Sequence, residues 1–144
     1  MEIRVIPIDQ RESGLQLAWD TFLAYEAPEY PPEGVAAFRD FLCNGEQIAV
    51  LEMWGAYDQG QLVGMLAMRE QRRHIALFFV AEERLGQGIG KALFQHVLSH
   101  CPGPLLTVHS SPYAVPVYQR LGFTADGPER QEDGIRYTPM TYRF

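Results

Sequence analysis

The chain is short of cysteine and of positive charge, and each shortage excludes a class of protein. Its 144 residues include two cysteines, Cys43 and Cys101, and carry a formal net charge of -6. Two cysteines cannot form the disulfide framework of a small secreted domain, and their spacing does not fit a zinc site. We therefore expect reduced, buried thiols. The negative balance argues against a nucleic-acid partner, because such partners are normally bound by a basic surface.

Long apolar segments are lacking as well. The first residues contain no apolar core of a signal peptide, and the longest apolar runs are far shorter than the roughly 18–20 residues that cross a bilayer. We therefore expect a cytoplasmic protein with no membrane partner. The length suits a single domain over residues 1–144. A chain of this size can bury roughly 68–70% of its unfolded surface.

The hydrophobic periodicity predicts a mixed α/β fold in the order β-α-α-β-β-β-α-β-α-β-β, with helices packed on one sheet layer. Strands are expected over 3–8, 48–57, 62–69, 74–80 and 105–110 and in a closing hairpin over 123–144, and helices over 13–25, 35–42, 89–101 and 113–121. Ser13 is the candidate N-cap of the first helix, and Asn44-Gly45 is expected to end the second. If the last strand, 135–144, lies at a sheet edge, it would allow a homodimer.

Three glycines, Gly86, Gly88 and Gly90, lie between an apolar strand and the start of a helix. The amides of such a loop lack partners, the helix dipole favours an anion, and glycine lets the backbone approach a phosphate. The dinucleotide fingerprint G-x-G-x-x-G fails because its sixth position is Lys91. The nucleotide P-loop fails because Leu85 stands in place of its first glycine. The loop is therefore either another kind of phosphate cradle or only a tight turn.

Two motifs together resemble the GNAT superfamily of N-acetyltransferases. Residues 78–93 are similar to its acetyl-CoA signature, Q/R-x-x-G-x-G/A, placed after a central strand and opening a helix. Residues 111–123 are similar to the family's A…Y..LGF helix. The order of elements over 1–144 also resembles the family fold, so the resemblance covers essentially the whole chain. It implies an N-acetyltransferase that uses acetyl-CoA as co-substrate and needs no metal.

The resemblance also implies which residues contact acetyl-CoA. The backbone of Phe78 and Val80 would pair with the pantetheine arm, helped by a bulge that splays the strand from its neighbour. The pyrophosphate would lie on the loop amides, where Lys91 would add positive charge. The full set of expected cofactor contacts is Phe78, Phe79, Val80, Leu85, Gly86, Gln87, Gly88, Ile89, Gly90, Lys91, His109 and Tyr113.

Two residues depart from the family's pattern. Leu85 stands where the family prefers glutamine or arginine, so we expect weaker phosphate contact with binding retained. His109 stands where many relatives carry asparagine, at the end of a predicted strand. Its imidazole would contact the pantetheine or serve as a base, because it titrates near neutrality. The plainer interpretation is a histidine hydrogen-bonded at a strand end.

Amide formation from a thioester needs a neutral amine, an oxyanion donor and a proton for the leaving sulfur. The resemblance implies that Tyr118 is the general acid toward the thiolate and that the Val80 amide is the oxyanion donor. The sequence leaves the base open among His109, His74 and a water chain to Glu70.

The resemblance implies that the first two helices line the acceptor side, so the acceptor is expected beside the loop that joins them. Glu26 could attract an ammonium group there, and Tyr25 or Tyr30 could stack on it, although a solvated loop is the plainer interpretation. We expect the acceptor to be the primary amine of a small molecule or peptide. A protein N-terminus or lysine, and a non-catalytic acyl-CoA sensor, are the alternatives. His96 and His100 are four residues apart, but no carboxylate completes a metal site.

Overall fold

The computed structural model describes all 144 residues, which form an eight-stranded sheet with five α-helices. The strands are β1 (Glu2–Val5), β2 (Glu52–Asp58), β3 (Gln61–Arg69), β4 (His74–Val80), β5 (Leu105–Ser110), β6 (Thr124–Ala125), β7 (Arg130–Glu132) and β8 (Ile135–Arg143). The helices are α1 (Arg11–Tyr25), α2 (Pro32–Leu42), α3 (Gly45–Ala49), α4 (Ile89–Leu98) and α5 (Val115–Leu121). The predicted mixed α/β fold is confirmed. None of these helices has the length and apolarity needed to cross a membrane.

The sheet has the strand order β1-β2-β3-β4-β5-β8-β6, and β7 pairs with the first part of β8. Adjacent residues of a strand face opposite sides, so each face of the sheet covers its own core. Leu66 of β3 packs with Leu93 of α4 and Met140 of β8 on one face. Met65, its neighbour in the chain, packs with Phe22 of α1 on the other. The helices therefore lie on both faces, with α4 and α5 opposite α1 and α2.

The central strands β4 and β5 are joined only at one end. They are the only parallel pair, and their pairing is limited to His74 with Thr107 and Ile75 with Val108. Next to this point Ile75 opposes Met68 of β3 while Leu77 opposes Ala67, so Ala76 is an extra residue in β4. Such a bulge bends and twists its strand. The rest of β4 therefore separates from β5 and leaves one backbone edge without a strand partner.

Two local predictions for the first half of the chain are wrong. Helix α1 begins at Arg11, with Gln10 at the N-cap position, so Ser13 lies inside the helix and does not cap it. Asn44 follows the end of α2, as predicted, but its side chain accepts a hydrogen bond of 3.1 Å from the Gln47 amide and caps a further short helix, α3, which the sequence did not predict. The strand expected from residue 48 consequently starts at Glu52. A short apolar run does not distinguish a helical turn from a strand.

The last strand and one cysteine also differ from expectation. Strand β8 is paired with β5 on one side and with β6 and β7 on the other, so it is not a sheet edge and offers no free backbone for a dimer. The cause is the 123–134 segment, which folds back onto β8 before the final turn. Cys43 is exposed and Cys101 is partly buried, and both are free thiols.

The start of α2 and the β7–β8 turn approach each other at two glycines. A Cβ atom on Gly34 would overlap the carbonyl oxygen of Gly134, and a Cβ atom on Gly134 would meet the backbone of Glu33 and Gly34. Beside this contact the Tyr30 hydroxyl donates a hydrogen bond of 3.1 Å to the Arg136 carbonyl. The segment before α2 is thereby fixed against the beginning of β8.

We expect Gly34→Ala to destabilise the protein by about 1–3 kcal/mol, the usual cost of forcing extra volume into a packed contact. Replacing glycine by alanine inside a helix normally stabilises a protein, so a loss of stability in Gly34→Ala would come from the steric overlap. Thermal unfolding measures the effect. Gly45→Ala is the matched control, because a Cβ atom there meets nothing within 4 Å. Equal melting temperatures for the two variants would contradict the close contact.

Candidate active site

Two cavities meet at the separated end of β4. The first, here the glycine-loop cleft, measures about 770 Å³ and lies between β4, the 84–91 loop and α5. The second, here the histidine cavity, measures about 360 Å³ and is lined by His74, His109 and Arg69 with apolar residues of α1 and α2. Five residues line both cavities, namely Glu26, Phe78, Phe79, Ala114 and Tyr118. A group bound in one cavity can therefore reach a group bound in the other.

The glycine loop presents backbone amides to the first cavity. Gly86 and Gly88 have φ values of +80° and +79°, in the left-handed region that L side chains rarely adopt. Gly88 is the N-cap of α4, and the first amides of the helix have no partner within it. Together with the helix dipole they form a site for an anion, and Lys91 lines the same cleft.

The open edge of β4 supplies the other wall of this cleft. The Ala81 amide donates a hydrogen bond of 2.9 Å to the Val63 carbonyl, so at this position the backbone points toward β3. Backbone groups alternate in direction along a strand. Those of Phe78 and Val80 therefore point away from β3, toward the space that β5 has left. They can pair with an extended, amide-containing chain.

Most residues predicted to contact the cofactor line the glycine-loop cleft. They are Phe78, Phe79, Val80, Leu85, Gly86, Gly88, Ile89, Gly90, Lys91 and Tyr113. Gln87 and His109 do not line it. Tyr25, which the sequence suggested for the acceptor, lines this cleft and stacks on Tyr113 with ring centres 5.3 Å apart.

Two arginines of the cleft were not among the predicted site residues. Arg84 is held by an ion pair of 2.6 Å with Asp58, and Arg120 comes from α5. Arg84 could have been predicted from the sequence, because it lies one residue before Leu85, where the family prefers glutamine or arginine. Nothing in the local sequence marks Arg120, because its place depends on how α5 packs against the loop.

Tyr118 lies where the two cavities join. It is 5% exposed, and α5 is ended by Gly122, whose φ of +109° lets the Phe123 amide bond back to the Tyr118 carbonyl at 3.0 Å. This is the left-handed helix ending that glycine favours. Burial, and then the charge of Glu26, raises the pKa of the phenol above its ordinary value. Tyr118 therefore stays protonated and can donate its proton.

Glu26 is the other titratable group at the junction. It follows α1 directly, and its amide bonds to the Phe22 carbonyl at 2.9 Å, so the helix end fixes its position. Burial is the main cause that raises the pKa of Glu26 to about 7, with the side chain of Ser111 opposing the rise and the charge of Glu29 adding to it. The sequence suggested Glu26 only as a group that attracts an ammonium ion. Its shifted pKa depends on packing that no local pattern reveals.

The two histidines line only the second cavity. The Nδ1 atom of His74 lies 2.7 Å from the Thr107 hydroxyl, which itself donates to the Arg73 carbonyl at 3.3 Å, so Nδ1 carries the proton. Burial, followed by Arg69 and His109, lowers the pKa of His74 to about 4. Partial burial and Arg69 also lower the pKa of His109, which stacks on Tyr137 with centres 4.5 Å apart. Both rings are neutral at pH 7.

The remaining candidates occupy different places. Tyr30 lines the histidine cavity, where its ring packs 5.6 Å from Phe22, so it forms part of the wall. Glu70 is in the β3–β4 turn and lines neither cavity. His96 of α4 and His100, two residues after the end of that helix, have ring centres 5.2 Å apart and lie outside both cavities.

Comparison with known proteins gives a consistent set of matches. The family model described as an acetyltransferase (GNAT) domain matches residues 26–144. The peptidyl-lysine N-acetyltransferase YjaB of Salmonella typhimurium is 31% identical over 111 residues, covering 69% of this chain and 75% of the relative. Its name describes that protein's activity.

Solved structures agree on the fold. A GCN5-related N-acetyltransferase from Rhodopseudomonas palustris has a TM-score of 0.85 at 18% identity, covering 99% of this chain and 95% of that one. The PaiA N-acetyltransferase from Thermoplasma acidophilum, solved in complex with coenzyme A, has a TM-score of 0.75 at 16% identity, and the match covers 100% of both chains. At identities of 18% and 16%, these similarities show a shared fold and nothing further.

We expect Gly90→Ala to weaken coenzyme A binding about tenfold while leaving the fold intact. A Cβ atom there would lie 3.4 Å from Val80 and 3.7 Å from the Phe78 ring, at the edge of the cleft where a ligand has to approach the backbone. Both contacts are of ordinary length, and alanine favours a helix, so stability should hold or rise. Calorimetric titration measures the affinity and thermal unfolding the stability.

Gly127→Ala is the control for this substitution, because a Cβ atom at that position meets nothing within 4 Å and Gly127 lines neither cavity. Unchanged affinity in Gly90→Ala would show that the ligand does not approach the start of α4.

Proposed function

The chain belongs to the GNAT family of acetyltransferases and uses acetyl-CoA as co-substrate, and we propose that it acetylates the primary amine of a peptide or small molecule by direct attack. The observation that carries the proposal is the junction of the two cavities at Tyr118. A thioester held in the glycine-loop cleft and an amine held in the histidine cavity would meet there. No covalent enzyme intermediate is needed.

In this proposal the glycine-loop cleft holds acetyl-CoA. The amides at the start of α4, with Lys91, bind the pyrophosphate, because the loop needs glycine at Gly86 and Gly88 and leaves these amides free. The pantetheine arm pairs with the open edge of β4 at Phe78 and Val80. Leu85 lines the cleft where a polar side chain would add a phosphate contact, so the backbone carries most of the binding.

The chemistry follows from what lies at the junction. The amine nitrogen attacks the thioester carbon, and the carbonyl oxygen becomes an oxyanion within reach of the Val80 amide. Collapse of the tetrahedral intermediate expels the thiolate, which takes the phenolic proton of Tyr118. The buried phenol is protonated at neutral pH and therefore holds the proton that this role requires.

The histidine cavity suits an amine at the end of an apolar chain. Phe22, Phe38 and Phe78 line it and can pack against methylene groups, while Glu26 offers a carboxylate at its inner end. A lysine side chain has this form, and the relative YjaB is named a peptidyl-lysine N-acetyltransferase. We therefore rank peptidyl-lysine first among the acceptors, ahead of free small amines.

A two-stage experiment tests the proposal. The melting temperature should rise with acetyl-CoA, because a ligand that binds only the native state stabilises it. Thiol release is then followed on the same samples with lysine peptides and a panel of small primary amines. Stabilisation without release from any amine would favour the acyl-CoA sensor. Absence of stabilisation at high acetyl-CoA concentration would overturn the cofactor site.

We expect Tyr118→Phe to lower kcat by about 10²-fold with little change in coenzyme A affinity. The phenyl ring keeps the packing of the junction but cannot protonate the thiolate, and general acid catalysis is typically worth 10²–10⁴-fold. Steady-state kinetics and calorimetry measure the two effects. Tyr142→Phe removes the same oxygen from a tyrosine that lines neither cavity and should leave both values unchanged. Full turnover in Tyr118→Phe would remove this residue from the mechanism.

A further inference from the structure

Glu26 is the only carboxylate that lines both the glycine-loop cleft and the histidine cavity. We propose that it is the general base that takes the proton from the attacking amine. This assignment rests on the proposed acetyl transfer and specifies a residue for the role that the sequence left open. Glu26 lies at the end of α1, distant in sequence from every base candidate suggested by the sequence.

Position is the first argument. The thioester comes from the glycine-loop cleft and the amine from the histidine cavity, so the bond forms where the same residues line both. Of the five shared residues only Glu26 and Tyr118 have ionisable side chains, the others being phenylalanine and alanine. Tyr118 is protonated and donates, which leaves Glu26 as the acceptor.

The other base candidates lie farther from the junction. His74 and His109 line the histidine cavity alone, and Glu70 lines neither cavity. The Nδ1 atom of His74 is already engaged by Thr107, and its low pKa makes the ring a weak base. A base must lie within hydrogen-bond reach of the proton it removes, or one water away.

The surroundings of Glu26 keep it basic. Glu29, Tyr30 and Tyr118 are the titratable groups that interact with it, and the side chain of Ser111 lowers its pKa in part. No arginine or lysine forms an ion pair with its carboxylate; the nearby Arg136 is paired with Glu129 at 3.0 Å. Because burial disfavours its charged form, Glu29 adds negative charge and no cation pairs with it, the carboxylate has a higher affinity for a proton than an exposed one.

The proposed proton transfers balance over one turnover. The lone pair of a neutral amine forms the C–N bond, the carbonyl electrons move to oxygen, and an N–H proton passes to the Glu26 carboxylate. Reformation of the carbonyl breaks the C–S bond, and the thiolate takes the phenolic proton of Tyr118. The proton on Glu26 then returns to the phenolate, which restores both residues and leaves amide and free coenzyme A.

The pH dependence of Glu26→Gln tests the proposal with the best lysine peptide or small amine from the thiol-release panel. In the wild type, log kcat/KM should rise with a slope near two below about pH 7, where both the substrate ammonium and Glu26 must lose a proton, and near one above it. In Glu26→Gln the slope should be near one throughout, with kcat/KM at pH 8 lower by about 10²-fold or more.

Three controls separate catalysis from structure. Glu29→Gln removes a nearby carboxylate that lines neither cavity; it should keep the two slopes and the wild-type kcat/KM at pH 8, with the bend moved to lower pH because Glu29 raises the pKa of Glu26. Glu26→Asp should keep the bend near pH 7 at a reduced rate. Glu26→Gln should keep its thermal shift with coenzyme A.

The stability of the variant gives a further check. The pKa of Glu26 is higher in the folded protein than in the unfolded chain, so ionisation of Glu26 lowers stability as the pH rises above the unfolded pKa. Glu26→Gln should therefore melt higher than wild type at pH 8 but not at pH 4.

The outcomes distinguish the two proposals. Wild-type turnover together with an unchanged bend and rate in Glu26→Gln would overturn the base assignment and leave the acetyl transfer standing. A wild type that binds acetyl-CoA but releases no thiol with any amine would overturn the proposed function and the assignment of Glu26 with it.

Discussion

The separation of β4 from β5 is the constraint on which the site depends. Two residue pairs hold the strands together, and the extra residue Ala76 turns the rest of β4 away. The unpaired backbone at Phe78 and Val80 would be costly in a closed sheet. Here it borders an open cleft, where an extended ligand can complete the missing hydrogen bonds. The same gap gives the glycine loop and α5 access to the sheet.

Burial at the end of this gap sets the proton affinities of the side chains that meet there. The phenol of Tyr118 is kept protonated and the carboxyl of Glu26 is raised toward neutrality, since removal from water disfavours the charged form of both. The histidines respond in the opposite sense, because their charged form is the protonated one. Exclusion of water therefore raises the pKa values of Tyr118 and Glu26 and lowers those of His74 and His109, which gives neighbouring side chains different protonation states.

The acceptor side is closed by contacts between segments far apart in the chain. The approach of Gly34 to Gly134 and the bond from Tyr30 to the Arg136 carbonyl hold the α1–α2 region against β8. Glu26 belongs to that region, so its position depends on the packing of a strand more than 100 residues later. The stability of this contact and the geometry of the reaction centre are linked.

The sequence by itself determined the fold class, the family resemblance and the cofactor loop. Apolar periodicity located β4 and β5 at their observed bounds, and the glycines at Gly86 and Gly88 were readable because only a positive φ at those positions gives that turn. These features are local, so their residues carry the signal. The cap at Ser13 was predicted wrongly because serine also occurs inside helices, and the strand start at residue 48 was predicted wrongly because a short apolar run also fits a helical turn.

Tertiary structure alone decided what Glu26, Tyr25 and His109 contact. In the sequence Glu26 is an acidic residue of a loop, and only the meeting of α1, α5 and β4 buries it between the two cavities. Tyr25 stacks on Tyr113 and lines the glycine-loop cleft. His109 stacks on Tyr137 and does not line that cleft. Proton affinity depends on solvent exclusion and on neighbours from distant segments, and no local pattern of residues specifies either.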